Sequence, residues 1–162
     1  MRIFLTSLQR CIEDQNWPAA LCLALTLPEM AGAVEAPEAA PQKSYADWFD
    51  KWVGRKYRTP LLLGQQTFLS GADCYGLRSA MLYHAQDAPD SHRHKTFQSY
   101  DKFIFTLDPE AHCTRKNQRL HLHMARFCRD VEDGCEAWLA SVKKDTRKAA
   151  LLERSVKIEG TS

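Results

Sequence analysis

Ser44-Tyr45-Ala46-Asp47-Trp48-Phe49-Asp50-Lys51-Trp52-Val53-Gly54 is the stretch on which the fold turns. Tyr45, Trp48, Phe49, Trp52 and Val53 recur at i, i+3, i+4, i+7 and i+8. That spacing winds five large apolar side chains onto one face of a helix and leaves Asp47, Asp50 and Lys51 for the other. Ser44 with Asp47 three residues on resembles a capping box, and Gly54 is the residue type that closes a helix.

Working outward, the same period appears on both sides. Upstream, Phe4, Leu8, Cys11 and Ile12 form an apolar stripe. Asn16-Trp17-Pro18 restarts the chain with a capping residue and a first-turn proline. The following helix is expected from Trp17 to Leu27. It is apolar nearly all round, which places it at the centre of a bundle. Pro28, Gly32, Pro37 and Pro41 make residues 28 to 43 the most loop-like part of the chain. Downstream, a basic, proline-containing loop is expected at Arg55, Lys56, Arg58 and Pro60. Ser70 and Asp73 then cap a fourth helix running to about Ala85. Gln86 to Lys95 is polar and reads as a loop.

After that loop the period changes. Lys102 to Leu107 is aromatic and β-branched, and Leu120, Leu122 and Met124 alternate with Arg119, His121 and His123. These two runs are expected to pair as a β-hairpin. Phe127, Val131, Cys135, Trp138 and Val142 then restore the helical spacing in a long fifth helix, and Ala149, Leu152 and Val156 suggest a last helical stretch. The expected fold is mostly α: a single-domain helical bundle over residues 1–162, with a β-hairpin inserted between the fourth and fifth helices.

Bulk properties narrow the function. A net charge of +2 and a charged fraction of 26% give no general drive toward nucleic acid or membrane, so any such affinity needs a local patch. Cys11, Cys22, Cys74, Cys113, Cys128 and Cys135 form no CxxC pair, and most lie in helical, apolar surroundings. Reduced, core-filling thiols are expected, in keeping with a cytoplasmic protein. The longest apolar run, Ala19 to Leu25, is too short to span a bilayer, and the first residues do not read as a signal peptide. No Walker loop, dinucleotide-binding glycine pattern or nucleophile elbow is present.

Three constellations carry possible chemistry. The fourth helix holds Arg78, Ser79 and His84 in an R-x5-H spacing. Cleavage of RNA by its own 2′-hydroxyl needs a base near neutral pH, which histidine supplies. It also needs a fixed cation against the phosphate, and a guanidinium fork matches two phosphate oxygens. On one ideal helix, Arg78 and His84 stand about 120° apart and about 9 Å along the axis. A long arginine or a partner subunit closes that gap. The alternative is structural. His84 falls at i+7 from Leu77 and i+3 from Met81, on the apolar stripe, and Arg78 pairs with Asp73, Asp50 or another carboxylate.

The second constellation is basic. Arg55, Lys56 and Arg58 precede the fourth helix, and Arg93, His94 and Lys95 follow it. Converging on Arg78 they would form a phosphate-binding rim; otherwise they are solvated loops. The third is histidine-rich: His92 with His94, His112 beside Cys113, and His121 with His123. Paired histidines bind zinc, but no second tight ligand pair accompanies them, so no metal is expected. Trp48 and Trp52 could be offered as a base-stacking platform, although their helical spacing favours core packing.

Leu23-Ala24-Leu25-Thr26-Leu27-Pro28-Glu29, Tyr45-x-x-Trp48-Phe49-Asp50-Lys51-Trp52-Val53 and the run from Phe68 to His84, with Phe127-Cys128, Trp138-Leu139 and Val156-Lys157-Ile158, resemble uncharacterised bacterial proteins of the HEPN superfamily. The resemblance touches the chain from about residue 20 to residue 158. It implies a helical bundle that forms a homodimer, and a metal-independent endoribonuclease of toxin or defence type needing no cofactor. Arg78, Ser79 and His84 would be catalytic, Arg55, Lys56, Arg58, Arg93 and Lys95 would contact RNA, and a cognate antitoxin would be a partner. It equally accommodates a non-catalytic nucleotide-binding or protein-interaction module.

Overall fold

The computed structural model describes residues 1–62, 64–83 and 99–153. Six helices are present among them: α1 (Arg2–Glu13), α2 (Trp17–Glu35), α3 (Pro41–Trp52), α4 (Gly71–Tyr83), α5 (Met124–Val142) and α6 (Thr146–Glu153). The fold is mostly helical, as the periodicity implies. Helix α2 is the axial element and packs against α1, α3, α4, α5 and α6.

The amphipathic stripes become the core. Leu5, Leu8 and Ile12 of α1, Tyr45, Trp48 and Phe49 of α3, and Phe127, Val131, Cys135, Trp138 and Val142 of α5 are all buried. The Trp48 and Trp138 rings meet edge to face at 6.2 Å, a favoured aromatic geometry. Both tryptophans pack as their helical spacing favours: Trp48 in the core and Trp52 half-buried with Lys51 Nζ 4.9 Å from its ring centre.

Helix α2 is longer than expected. It runs through Pro28 to Glu35, and Pro28 and Gly32 are buried inside it. An internal proline costs roughly 3 kcal/mol through a lost N–H and a ring clash. Here the burial of Leu25, Leu27 and Ala31 around it offsets that cost. Gly32 is helical for a packing reason: a Cβ there would sit 2.6 Å from the Ser44 carbonyl oxygen, so only glycine lets α3 approach this closely. The expected sixteen-residue loop shrinks to the few residues between Glu35 and Pro41. At 19 residues α2 also has the length and composition of a membrane span, which the shorter run Ala19 to Leu25 did not reveal.

Two caps differ in outcome. At α4, Ser70 Oγ donates to Asp73 Oδ2 at 2.7 Å and accepts from the Asp73 N–H at 3.1 Å, so Ser70 caps the helix as expected. At α3 the expected Ser44 cap does not form. Pro41 opens the helix a turn earlier, Ser44 is buried and donates to the Pro41 carbonyl, and Asp47 pairs with Lys43.

Two β elements were misread. Residues 54 to 67 are not simply a loop. Gly54–Tyr57 forms a 3-10 turn, and β1 (Arg58–Leu61) pairs antiparallel with β2 (Gly64–Thr67). No residue of this arm is buried, so it lacks the alternation that signals a strand. Beyond α4, β3 (Lys102–Thr106) and β5 (Arg119–His123) do pair, but in parallel. The true hairpin joins β4 (Thr114–Lys116) to β5, and the order is β3-β5-β4. Its turn residues Asn117 and Gln118 both have positive φ, as a tight two-residue turn requires. A 3-10 turn at Pro109–Ala111 separates β3 from β4, which is how β3 and β5 come to run the same way. Leu120 and Leu122 face the core as the alternation implies. All six cysteines are free thiols, and burial pushes Cys74, Cys128 and Cys135 up to about 12.

Candidate functional site

Helix α4 carries the candidate site, and its N-terminus is firmly held. Asp50 Oδ1 accepts from the Gly71 N–H at 3.0 Å and from Arg58 Nη2 at 3.1 Å. Asp73 Oδ1 accepts from the Ser99 N–H at 3.1 Å, which ties the helix to the chain entering β3. Asp50 and Asp73, the carboxylates first offered to Arg78, are thus engaged here.

Arg78 pairs instead with Glu29 of α2. Its Nη2 lies 2.7 Å from Glu29 Oε2, and its side chain is only 15% exposed. The contact is an ion pair without hydrogen-bond alignment: Glu29 Oε2 and Arg78 Nε are both buried with no hydrogen-bond partner. The guanidinium also lies 5.7 Å from the centre of the Tyr75 ring. Tyr75 meets Tyr45 edge to face at 5.4 Å. Tyr45 hydroxyl donates to the Leu25 carbonyl at 3.1 Å and lies 3.3 Å from Cys74 Sγ. Burial, then the neighbouring Cys74, raises the Tyr45 phenol well above its ordinary value. The Cys74 thiol is raised likewise, so neither is a nucleophile at neutral pH. Ser79 is half-buried on α4, and His84 lies outside the described residues.

Two of the three described basic residues are committed to carboxylates. Lys56 Nζ bridges Asp130 Oδ1 at 2.7 Å and Asp133 Oδ2 at 2.6 Å. Burial works against its charge, but the two carboxylates outweigh it and raise its affinity for the proton. Arg58 is tied to Asp50, while Arg55 is exposed. All three sit before α4 begins, and Arg78 is seven residues up the helix, about 10 Å along its axis. Arg93 and Lys95, with His92 and His94, lie outside the described residues.

His112 and His123 hold local structure. His123 caps α5 by accepting the Arg126 N–H at 3.3 Å on Nδ1, and its own N–H donates to His112 Nδ1 at 3.2 Å. The His112 ring packs on Tyr57 at 5.7 Å. Burial lowers its affinity for a proton, keeping it neutral. No group of three or more metal-ligating side chains comes together among the described residues.

Two features were missed in the sequence. Glu29 is the partner of Arg78, and it falls in the stretch beyond Leu27 that was expected to be a loop. A groove of about 490 Å³ lies between α2, α4 and β3, walled by Leu21, Leu25, Leu77, Met81, Phe103 and Phe105. Leu77 and Met81 were visible as a helical stripe, but β3 is parallel to β5 and not its hairpin partner. Comparison with protein-family models, characterised proteins and solved structures gives no match to this chain.

Proposed function

We propose that this protein is a HEPN-like helical interaction module of the cytoplasm, in which Arg78 is a structural residue. The observation that supports this reading is the Arg78–Glu29 contact. A cation that must receive a phosphate has to be solvent-open, whereas this one is 15% exposed and sits 2.7 Å from a carboxylate. Lys56 and Arg58 are likewise neutralised by Asp130, Asp133 and Asp50. The thermal stability and RNA cleavage of wild type, Arg78→Ala and His84→Ala test it. The module reading expects intact RNA with wild type and a loss of stability in Arg78→Ala.

A second reading, the metal-independent ribonuclease of a toxin or defence system, draws support from one observation. Arg78 Nε and Glu29 Oε2 are buried without hydrogen-bond partners, as are Nε1 of Trp48 and of Trp52, and such orphaned groups are uncommon in folded proteins. A phosphate could displace Glu29, with Ser79 assisting and His84 as the base. Cleavage of RNA by wild type in the presence of a chelator, lost in folded Arg78→Ala and His84→Ala proteins, would overturn the module reading. Co-purification of a cognate antitoxin would point the same way.

A further inference from the structure

The three-stranded sheet lines up like charges on its outer face. In register, Lys102 of β3 stands beside Arg119 of β5, and Arg119 stands opposite Lys116 of β4. Neighbouring strands lie about 4.8 Å apart, so the three cations form one row about 10 Å long. All three are exposed, and none has a side-chain ion pair or hydrogen bond among the described residues. Arg115 falls on the other face, level with the buried Leu120, and its guanidinium lies 5.5 Å from the centre of the Tyr100 ring. Asp101 precedes Lys102, and by the same alternation it falls on the face of Phe103.

Two of the three cations have a structural reason. The order is β3-β5-β4, so β3 and β4 are edges, and a lysine on an edge discourages pairing with another chain. Arg119 has no such reason. It lies on the central strand, and like charges directly opposite one another destabilise a sheet. The hairpin turn does not need it, because Asn117 and Gln118 fold that turn. Phe103, Leu120 and Leu122 are buried on the inner face, so the backbone under the row is held from behind. Along the strands the array stops after one row. The next positions are Ile104, His121 and Thr114, none of which carries a fixed charge.

We propose that the Lys102–Arg119–Lys116 row binds a compact oligophosphate, several phosphate groups within about 10 Å of one another, free or as a lipid headgroup. The length of the row selects this class of anion. An acidic peptide strand presents same-face carboxylates about 6.6 Å apart, so the row meets two at most and leaves a cation unpaired. A nucleic-acid strand needs a track of cations along its backbone, and this array ends after one row. Phosphates joined to one another, or to one small ring, meet all three cations at once, each bringing a charge of about −1.5 to −2. Arg119 at the centre supplies a guanidinium fork that matches two phosphate oxygens, and the two ammonium groups flank it as point charges. The bound anion also relieves the like-charge repulsion across the strands. The site shares no residue with Arg78, Ser79 and His84. It goes beyond the module reading and holds whether or not RNA is cleaved.

The test uses the full chain and inorganic tripolyphosphate, at low salt without divalent cations, by calorimetric titration and thermal melting. Wild type should bind tripolyphosphate and melt at a higher temperature in its presence. Orthophosphate should bind about tenfold more weakly, because it reaches one cation at a time. Added NaCl should weaken binding. Arg119→Gln should weaken it about tenfold, and Lys102→Gln and Lys116→Gln about threefold each. Without ligand, Arg119→Gln should melt no lower than wild type, which separates loss of the site from loss of the fold. Lys144→Gln, at an exposed cation on another part of the chain, should bind like wild type. Sedimentation with phosphatidylcholine vesicles containing a phosphoinositide bisphosphate tells the two sources apart. Co-sedimentation displaced by tripolyphosphate assigns a lipid headgroup, whereas tripolyphosphate binding without co-sedimentation assigns a free anion; either keeps the proposal. Three results overturn it: tripolyphosphate that neither binds nor raises the melting temperature, an Arg119→Gln protein that binds as tightly as wild type, or a poly-glutamate peptide or single-stranded RNA that binds through Arg119 more tightly than tripolyphosphate.

Discussion

Arg78 on α4 and Glu29 on α2 stand 2.7 Å apart, nitrogen to oxygen, on the inward side of the helix that carries the candidate site. Removing one member of a buried pair leaves the other desolvated and uncompensated, which costs about 3 to 5 kcal/mol in full burial. Glu29 keeps 31% of its side chain exposed, so a smaller loss of about 2 kcal/mol is expected for Arg78→Ala. Glu29→Gln/Arg78→Met removes both charges and should recover about half of that loss. Urea unfolding of the two variants checks this. If the double substitution is no more stable than Arg78→Ala, the ion pair does not couple the helices.

The start of α4 is expected to tolerate substitution poorly, for two separable reasons. A Cβ at Gly71 would collide with the Ala46 backbone of α3, including its carbonyl oxygen, so Gly71→Ala must push two helices apart. Overpacking against backbone costs roughly 1 to 3 kcal/mol, and for a chain of this size about 2 kcal/mol lowers the melting temperature by roughly 4 to 8 °C. Ser70→Ala removes a cap worth about 1 kcal/mol, so its drop should be about half as large. Calorimetry of both decides; a Gly71→Ala protein that melts with wild type would show that α3 and α4 are not in register here.

What was legible in the sequence was whatever had a period. Tyr45, Trp48 and Phe49, or Phe127, Val131 and Trp138, could be assigned to core helices because burial on one face forces the 3.6-residue repeat. Pro28 misled because proline's local preference was overridden by the burial of its neighbours along α2. The arm misled in the opposite sense: Thr59, Pro60, Gln65 and Thr67 are exposed, so no alternation marks the strands. The direction of β3 relative to β5 depends on the 3-10 turn between them, which carries no apolar signature. Of the candidate site, the start of α4 and its Ser70 cap were readable. The pairing of Arg78 with Glu29 was not, because the two are far apart in sequence and neither position has a repeat.

His112 offers a pH test of the α5 cap. Its Nδ1 accepts the His123 N–H, so protonation at Nδ1 would set two donors against each other. Burial, then Arg126 and His123, hold the folded-state value below the ordinary 6.5, against the pull of Asp130. The unfolded state therefore binds the proton first. This contribution to stability is fully present above pH 6.5 and is lost as pH falls through the folded-state value. NMR titration should give a His112 midpoint below 6.5. Stability of a His112→Asn protein should change less than that of wild type between pH 7.5 and pH 5.

Glu35 should govern the acid limb. It joins four helices: Oε1 lies 2.8 Å from Lys51 Nζ of α3, Oε2 lies 2.9 Å from Lys148 Nζ of α6, and Trp138 Nε1 of α5 donates to Oε2 at 3.0 Å. Burial raises the carboxyl's pKa, but the three donors outweigh it and bring it from 4.5 to about 2. The folded state thus favours the carboxylate more than the unfolded chain does. The stabilisation is complete above the unfolded value of 4.5 and is lost as pH falls through about 2. Glu35→Gln removes the charge at every pH. At pH 7 it should cost roughly 1.5 to 3 kcal/mol, the range for hydrogen bonds to charged groups. Other carboxylates titrate in the same window, so the readout is the difference between the two proteins. Their urea midpoints should be furthest apart above pH 4.5 and converge toward pH 2. Because Lys148 is the tie to α6, amide exchange of residues 146 to 153 should also speed up in the variant. Parallel pH profiles with α6 equally protected would show that Glu35 is a surface charge and not the clasp of the bundle.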